Sequence, residues 1–89
     1  LEGGSTIANL AVYPNPSRDV FNVSFTSDAK QNLKVRILNV IGEELVNESL
    51  EQFIGEYTKQ IDLTNNAKGI YFIEIETNDE MINKKLILQ

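Results

Sequence analysis

The sequence contains neither cysteine nor histidine. Without cysteine there is no disulfide framework, no thiolate zinc site and no cysteine nucleophile. Without histidine, most metal-binding and acid–base sites lose their commonest residue. Lysine and arginine together number 8 against 13 acidic residues, for a net charge of −5. A surface that binds nucleic acid needs clustered basic residues, so nucleic acid is not an expected partner.

Long apolar runs are also missing. No stretch of about 20 apolar residues occurs, so no membrane span is expected. The start of the chain lacks the basic segment and apolar run of a signal peptide, and its first residue is leucine, so we expect a piece of a larger protein. What is present, 42% apolar and 24% charged residues over 89 positions, is typical of one globular domain with one hydrophobic core.

Apolar residues recur at every second position in short runs, which indicates β-strands rather than helices. Strands are predicted at residues 8–13, 20–26, 33–39, 44–50, 56–62, 70–77 and 81–88. This spacing favours an all-β fold, an immunoglobulin-like antiparallel β-sandwich of about seven strands. The domain is predicted over residues 9–89. Residues 1–8, which include Gly3 and Gly4, are expected to be a flexible linker or a cloning remnant.

One face of the predicted strands is apolar and the other is charged. The predicted core consists of Phe21, Val23, Phe25, Leu33, Val35, Ile37, Tyr71, Ile73 and Ile75. The opposite face carries Lys34 and Arg36 on one strand and Glu74 and Glu76 on another, which predicts exposed side chains that pair across neighbouring strands. The last strand alternates imperfectly, which predicts either a bulge or partial burial of both of its faces.

Two turns share the pattern Asn-x-x-Gly, at residues 39–42 and 66–69. In each, the asparagine is expected to cap the turn, while Gly42 or Gly69 takes the left-handed conformation that glycine adopts without strain. Tyr71 follows the second turn at the position of the tyrosine corner of immunoglobulin-like sandwiches. Its hydroxyl is therefore expected to bind the backbone of the preceding connection.

A rigid corner is predicted where the first strand ends, because Pro14 and Pro16 each restrict the backbone around Asn15. Such a corner serves either as plain structure or as an epitope that a partner recognises. Its spacing alone does not decide between the two.

Four segments then occur in a characteristic order: Val-Tyr-Pro-Asn-Pro at residues 12–16, Gly-Glu-Glu-Leu-Val at 42–46, Gly-Ile-Tyr-Phe-Ile at 69–73 and Lys-Lys-Leu-Ile-Leu at 84–88. In this order the chain, from about residue 10 to residue 89, resembles the C-terminal sorting domain of the type IX (Por) secretion system of gliding and periodontal Gram-negative bacteria. The resemblance implies these sorting-motif positions: Pro14, Asn15, Pro16, Gly42, Gly69, Tyr71, Lys84, Lys85, Leu86, Ile87, Leu88 and Gln89.

The resemblance also implies a role in protein transport and no enzymatic activity or cofactor. The parent would be a secreted or surface protein whose N-terminal cargo domain carries the signal peptide. An outer-membrane translocon would recognise the folded sorting domain in the periplasm. A sortase-like peptidase would then remove it at the cell surface, cutting upstream of Leu10, in or before residues 3–6, often with attachment of the cargo to an anionic lipopolysaccharide.

Two other functions compete with this interpretation. A carbohydrate-binding or adhesive accessory module of a secreted hydrolase is also a small β-sandwich, but it usually needs an exposed aromatic platform. Only Tyr13, Phe53, Tyr57 or Phe72 is available for one. A small enzyme is opposed by the missing histidine and cysteine. A glycosidase would further need two carboxylates that face each other across a cleft.

Overall fold

The computed structural model describes residues 6–89. All regular secondary structure in these residues is β-strand. They are β1 (Ile7–Tyr13), β2 (Val20–Asn39), β3 (Glu44–Asp62), β4 (Gly69–Glu76) and β5 (Met81–Leu88). Every pairing between them is antiparallel, and all five belong to one sheet. Across these residues we find no helix that is long and apolar enough to span a membrane.

The all-β prediction is confirmed, but the prediction of a seven-stranded immunoglobulin-like sandwich is wrong. The structure has five strands in one curled half-barrel sheet. The segments predicted as separate strands at 20–26 and 33–39 are the two halves of β2. Those at 44–50 and 56–62 are the two halves of β3.

At the polar stretches in the middle of β2 and β3 the strands bend but do not end. β2 and β3 stay paired through the bend, where Ser27 lies opposite Gly55 and Gln31 lies opposite Phe53. The pairing register of β2 and β3 shifts on both sides of Gln31. Such shifts are typical of bulges, which bend a strand without ending it. On β3 the bend includes Gln52 and Gly55, whose φ angles are 51° and 105°. Both values lie in the region that glycine adopts most easily.

The bends allow one sheet to cover both sides of a core. The first half of β2 pairs with β1 and the second half with β4, while β3 runs along the length of β2 and β5 pairs with β4. The two halves of β3 face each other, because the hydroxyl of Tyr57 donates a hydrogen bond of 2.7 Å to Glu48, nine residues earlier. Tyr57 also stacks on Phe25, with ring centroids 4.7 Å apart.

The core contains every apolar residue that the alternation predicts. All nine predicted core residues are buried, and Phe21, Ile37, Ile73 and Ile75 are completely inaccessible. Each such side chain contributes about 1.5–3 kcal/mol to stability relative to an exposed position. The core also includes residues that were not predicted: Ile7, Val12, Tyr57, Ile61, Leu63, Leu86 and Leu88.

The charged face of the sheet pairs as predicted. Arg36 lies 2.6 Å from Glu74 and 3.7 Å from Glu76, and it also contacts Glu44 at 3.2 Å. Lys34 is exposed, as predicted, but Arg36, Glu74 and Glu76 are half-buried, because they lie side by side on adjacent strands and cover one another. Burial opposes the charge of Arg36. The hydrogen bond to Glu44 and the three carboxylate charges outweigh that effect and raise the pKa of Arg36.

Candidate functional site

The predicted sorting-motif residues come from distant parts of the chain, and the fold brings most of them to one end of the sheet. Gly69 pairs with Leu88 and Tyr71 with Leu86, while Asn39, which begins the first turn, pairs with Tyr71. We call this region the motif end and define it as residues 13–17, 38–42, 67–72 and 85–89.

The proline-rich corner contributes a side chain that binds the last strand. The side-chain amide of Asn15 donates a 2.9 Å hydrogen bond to the carbonyl of Lys85, and its oxygen accepts one of 3.0 Å from the N–H of Ile87. Asn15 therefore satisfies backbone groups on the outer edge of β5, as a neighbouring strand would. Pro14 and Pro16 are both exposed on either side of it.

Ser17 extends this contact through its backbone. Its N–H donates to the carbonyl of Ile87 at 3.0 Å, and its carbonyl accepts from the N–H of Gln89 at 2.8 Å, which forms a short parallel bridge. The side chain of Ser17 is buried, and its hydroxyl donates to the carbonyl of Val20 at 2.6 Å. The end of β5 is thus held by β4 on one edge and by residues 15–17 on the other.

The residues of the terminal strand divide between structural and accessible positions. Leu86 and Leu88 belong to the core, whereas Ile87 between them is half-buried on the outer face. The strand keeps one continuous register with β4, so its imperfect alternation reflects partial burial of both faces and not a bulge. Lys84 and Lys85 are exposed, and neither forms an ion pair within residues 6–89.

The first turn has the predicted chemistry. The side-chain oxygen of Asn39 accepts hydrogen bonds from the N–H groups of Ile41 and Glu43, and Gly42 has a φ of 88°. The turn therefore presents its tip in a fixed geometry. That tip consists of Val40 and Ile41, which are 67% and 76% exposed. Sequence reasoning did not single out these two residues, although apolar side chains at a turn tip are themselves a signal.

Around the second turn the structure confirms the positive φ predicted for Gly69 and the backbone hydrogen bond predicted for Tyr71, but not the capping role predicted for Asn66. Gly69 has a φ of 143°, and the buried Tyr71 donates its hydroxyl hydrogen to the carbonyl of Ala67, as a tyrosine corner requires. The predicted cap, Asn66, makes no side-chain hydrogen bond in the described part of the chain. Asp62 forms a cap at the start of this connection instead, where its side chain accepts a 2.9 Å hydrogen bond from the N–H of Thr64. Hydrogen bonds from Thr64 lower the pKa of Asp62.

Half of the chain's eight basic residues lie at or beside the motif end: Arg18, Lys68, Lys84 and Lys85. Lys68 donates a 2.9 Å hydrogen bond to the carbonyl of Arg18, which places these two neighbours together. None of the four has a carboxylate partner within residues 6–89. Within these residues the four cationic side chains are thus available to carboxylates of another molecule.

Comparison with known proteins decides the family. The family described as the secretion system C-terminal sorting domain, of the Por system, matches residues 11–89. The chain belongs to this family. An ulvan lyase from Nonlabens ulvanivorans is 34% identical over 84 residues, which is 92% of this chain and 15% of the lyase. The sorting domain therefore spans only about 15% of the length of this curated relative, and the predicted resemblance is confirmed.

The sorting domain does not display its aromatic side chains as a flat platform. Tyr13 is 52% exposed, but Tyr57 is buried and Phe53 packs edge-on against it, with ring centroids 6.3 Å apart. Phe72 is half-buried on β4, in the other half of the sheet from Tyr13 on β1. Within residues 6–89 these aromatics do not share one exposed surface, so the geometry gives no support to a carbohydrate-binding role.

The carboxylates that lie close together on β3 and β4 are arranged as ion pairs. Glu44, Glu74 and Glu76 all converge on Arg36 on the outer surface of the sheet. Two carboxylates that act on a glycoside must instead face each other across a bound sugar. In the sorting domain these side chains stabilise neighbouring strands.

Proposed function

We propose that this domain directs a covalently linked N-terminal cargo across the outer membrane to the cell surface or the medium. Its partner in this step is the outer-membrane translocon of the type IX system, which recognises the folded domain in the periplasm. The observation that carries the proposal is the motif end itself. There, a rigid corner, two glycine turns and the terminal strand form one folded structure by way of the Asn15 and Ser17 hydrogen bonds.

The path of the chain supports a role for the motif end in recognition by the translocon. The carbonyl of Thr6, the first described residue, accepts a 2.8 Å hydrogen bond from the N–H of Asp28. The N–H of Thr6 donates a 3.1 Å hydrogen bond to the carboxylate of Glu80. Glu80 lies in the β4–β5 connection, at the far end of β4 from Gly69. The described chain therefore begins at the end of the sheet opposite the motif end, which supports a motif end that stays accessible to a receptor when cargo precedes the domain.

The later steps are part of the same proposal. A sortase-like peptidase removes the domain at the cell surface by cutting upstream of Leu10. Residues 1–5, which include most of the predicted cleavage region at 3–6 and of the predicted linker at 1–8, lie outside the described residues. Thr6 is described, and β1 already includes Ile7 and Ala8. By analogy with the ulvan lyase relative, the cargo is a secreted enzyme. The sorting domain takes no part in its catalysis.

A reporter export assay tests the proposal. Residues 6–89 are fused behind a fluorescent protein targeted to the periplasm, in a host that has this secretion system. The intact fusion should reach the surface or the medium. Removal of residues 86–89 should leave it in the periplasm. If the truncated fusion is exported as well as the intact one, the terminal strand is not the signal and the assignment fails.

Truncation also removes Leu86 and Leu88 from the core, so a second variant separates recognition from folding. Lys84→Ala combined with Lys85→Ala removes only exposed charges, which contribute little to stability. We expect this double variant to keep the urea midpoint of the parent and to be exported less. The matched control is Lys30→Ala, an exposed lysine at the bend of β2, which should be exported normally.

A further inference from the structure

The outer face of the sheet changes character at the motif end. Next to the motif end, that face carries the ion pairs of Arg36 with Glu44, Glu74 and Glu76. At the motif end Leu38 pairs with Phe72, and Ile70 pairs with Ile87. Their neighbours in sequence point into the core, so these four side chains point outward. Together with the turn tip they form a surface that we call the apolar end patch: Leu38, Val40, Ile41, Ile70, Phe72 and Ile87.

This patch is costly to expose. Val40, Ile41 and Ile70 are 67%, 76% and 41% exposed, and with neighbouring residues they line a shallow groove of about 240 Å³. Turn tips normally carry polar residues or glycine. A contiguous exposed apolar surface with a polar rim commonly marks a site where another molecule binds.

The rim indicates what kind of molecule fits. Lys68 lines the groove, and Lys85 pairs with Phe72 beside the patch. Neither lysine has a carboxylate partner in the described residues. Of the nearby acidic side chains, Glu44 pairs with Arg36, whereas Glu43 accepts a 2.7 Å hydrogen bond from the neutral amide of Asn39 and keeps its charge. Complementary charge on the part of a partner that faces Lys68 and Lys85 would therefore be negative.

The position of Thr6 argues against the linked cargo as the occupant of the patch. The chain leads toward the cargo from Thr6, which binds Glu80 at the opposite end of β4. An eight-residue strand such as β4 spans about 25 Å. The described chain thus begins at the opposite end of the sheet from the apolar end patch.

On the basis of the proposed function, we propose that the apolar end patch docks onto a protein component of the outer-membrane translocon. The docking surface of that component presents apolar side chains bordered by Asp and Glu. Val40 and Ile41 enter the apolar centre of this surface, while Lys68 and Lys85 face its carboxylates. An apolar centre surrounded by a polar rim is the usual anatomy of a specific protein interface.

The first test replaces the turn tip. Val40→Asn combined with Ile41→Asn changes side chains that lie outside the core cluster, so the urea midpoint should not move. Export of the reporter should fall at least tenfold. Ile54→Asn is the matched control, because Ile54 is 56% exposed at the bend of β3, away from the patch, and this variant should be exported normally. Normal export of the turn-tip variant would overturn the docking surface and leave the proposed function standing. Failure of the parent fusion to be exported would overturn both.

The second test identifies the occupant. A photo-crosslinking amino acid at position 41 should give an adduct with a translocon protein in exporting cells, at a peptide rich in Asp or Glu beside apolar residues. The same group at position 54 should give none. An adduct with a second copy, with the cargo or with lipid would overturn the proposal.

Charge reversal supplies the third test. Lys85→Glu and Lys30→Glu change the net charge equally, but only Lys85 borders the patch. We expect Lys85→Glu to reduce export several-fold and Lys30→Glu to leave export unchanged. Equal export of the two variants would contradict an acidic partner.

Discussion

Asn15→Ala is the substitution that most sharply tests the structure of the motif end. The side chain of Asn15 makes two hydrogen bonds to the backbone of β5, to the carbonyl of Lys85 at 2.9 Å and from the N–H of Ile87 at 3.0 Å. Alanine removes both. Because the pair lies at an exposed position, water then solvates the freed groups and neither is left buried without a partner.

The expected loss follows from these two bonds. Each intramolecular hydrogen bond contributes a net of about 0.5–1.5 kcal/mol, so the loss of both should lower the free energy of unfolding by about 1–3 kcal/mol. For a domain of this size, each kcal/mol lowers the melting temperature by about 4–8 °C. Asn65→Ala is the matched control, because the Asn65 side chain makes no hydrogen bond within residues 6–89, and it should change stability by less than about 0.5 kcal/mol.

Amide hydrogen exchange locates the effect. The N–H of Ile87 faces Asn15, whereas the alternation of an antiparallel pair directs the N–H groups of Leu86 and Leu88 toward β4. In Asn15→Ala the Ile87 amide should exchange much faster, while those of Leu86 and Leu88 keep most of their protection. An unchanged urea midpoint together with an unchanged Ile87 amide would refute the role assigned to Asn15.

The remaining predictions concern stability. Gly69→Val should lower the free energy of unfolding by more than about 1 kcal/mol, because a β-branched residue is strained at a φ of 143°; an unchanged urea midpoint would contradict the assigned turn. Leu86→Ala should cost about 2–5 kcal/mol and Ile87→Ala clearly less, since only Leu86 is fully buried, and equal losses would contradict the outward position of Ile87. Tyr57→Phe should cost about 1 kcal/mol at neutral pH by removing the hydrogen bond to Glu48. That bond is the main cause of the lowered pKa of Glu48, so the stabilisation is present above the usual glutamate pKa of about 4.3 and is lost as the pH falls through the lower folded value. A cost that stays constant down to pH 2 in urea titrations would contradict this.

The core was predictable because burial on one face of a strand leaves a period-two pattern. Phe21, Val23 and Phe25 follow that pattern and are buried. The number of strands was not predictable in the same way. At residues 27–32 the alternation stops, as it would at a turn, yet the backbone there continues to pair with β3 through register shifts. Sequence pattern records which face is buried and not whether hydrogen bonding continues through a bend.

The candidate site shows the same limit. Gly42 and Gly69 were predictable because their turns require positive φ, and Tyr71 because its corner has a local partner. The contact between Asn15 and β5 joins residues about 70 positions apart and leaves no periodic signal in either segment. Family resemblance placed both segments among the sorting motifs. Only the fold shows that they bind each other.

The central claim is that this domain alone carries the export signal of the secretion system. The most direct measurement is the fraction of a periplasm-targeted reporter, fused to residues 6–89, that lies outside the cell in two otherwise identical hosts, one with and one without a functional translocon. Most of the fusion should be outside the cell in the first host, and nearly all of it should be periplasmic in the second. Equal distribution in the two hosts would contradict a signal read by the translocon.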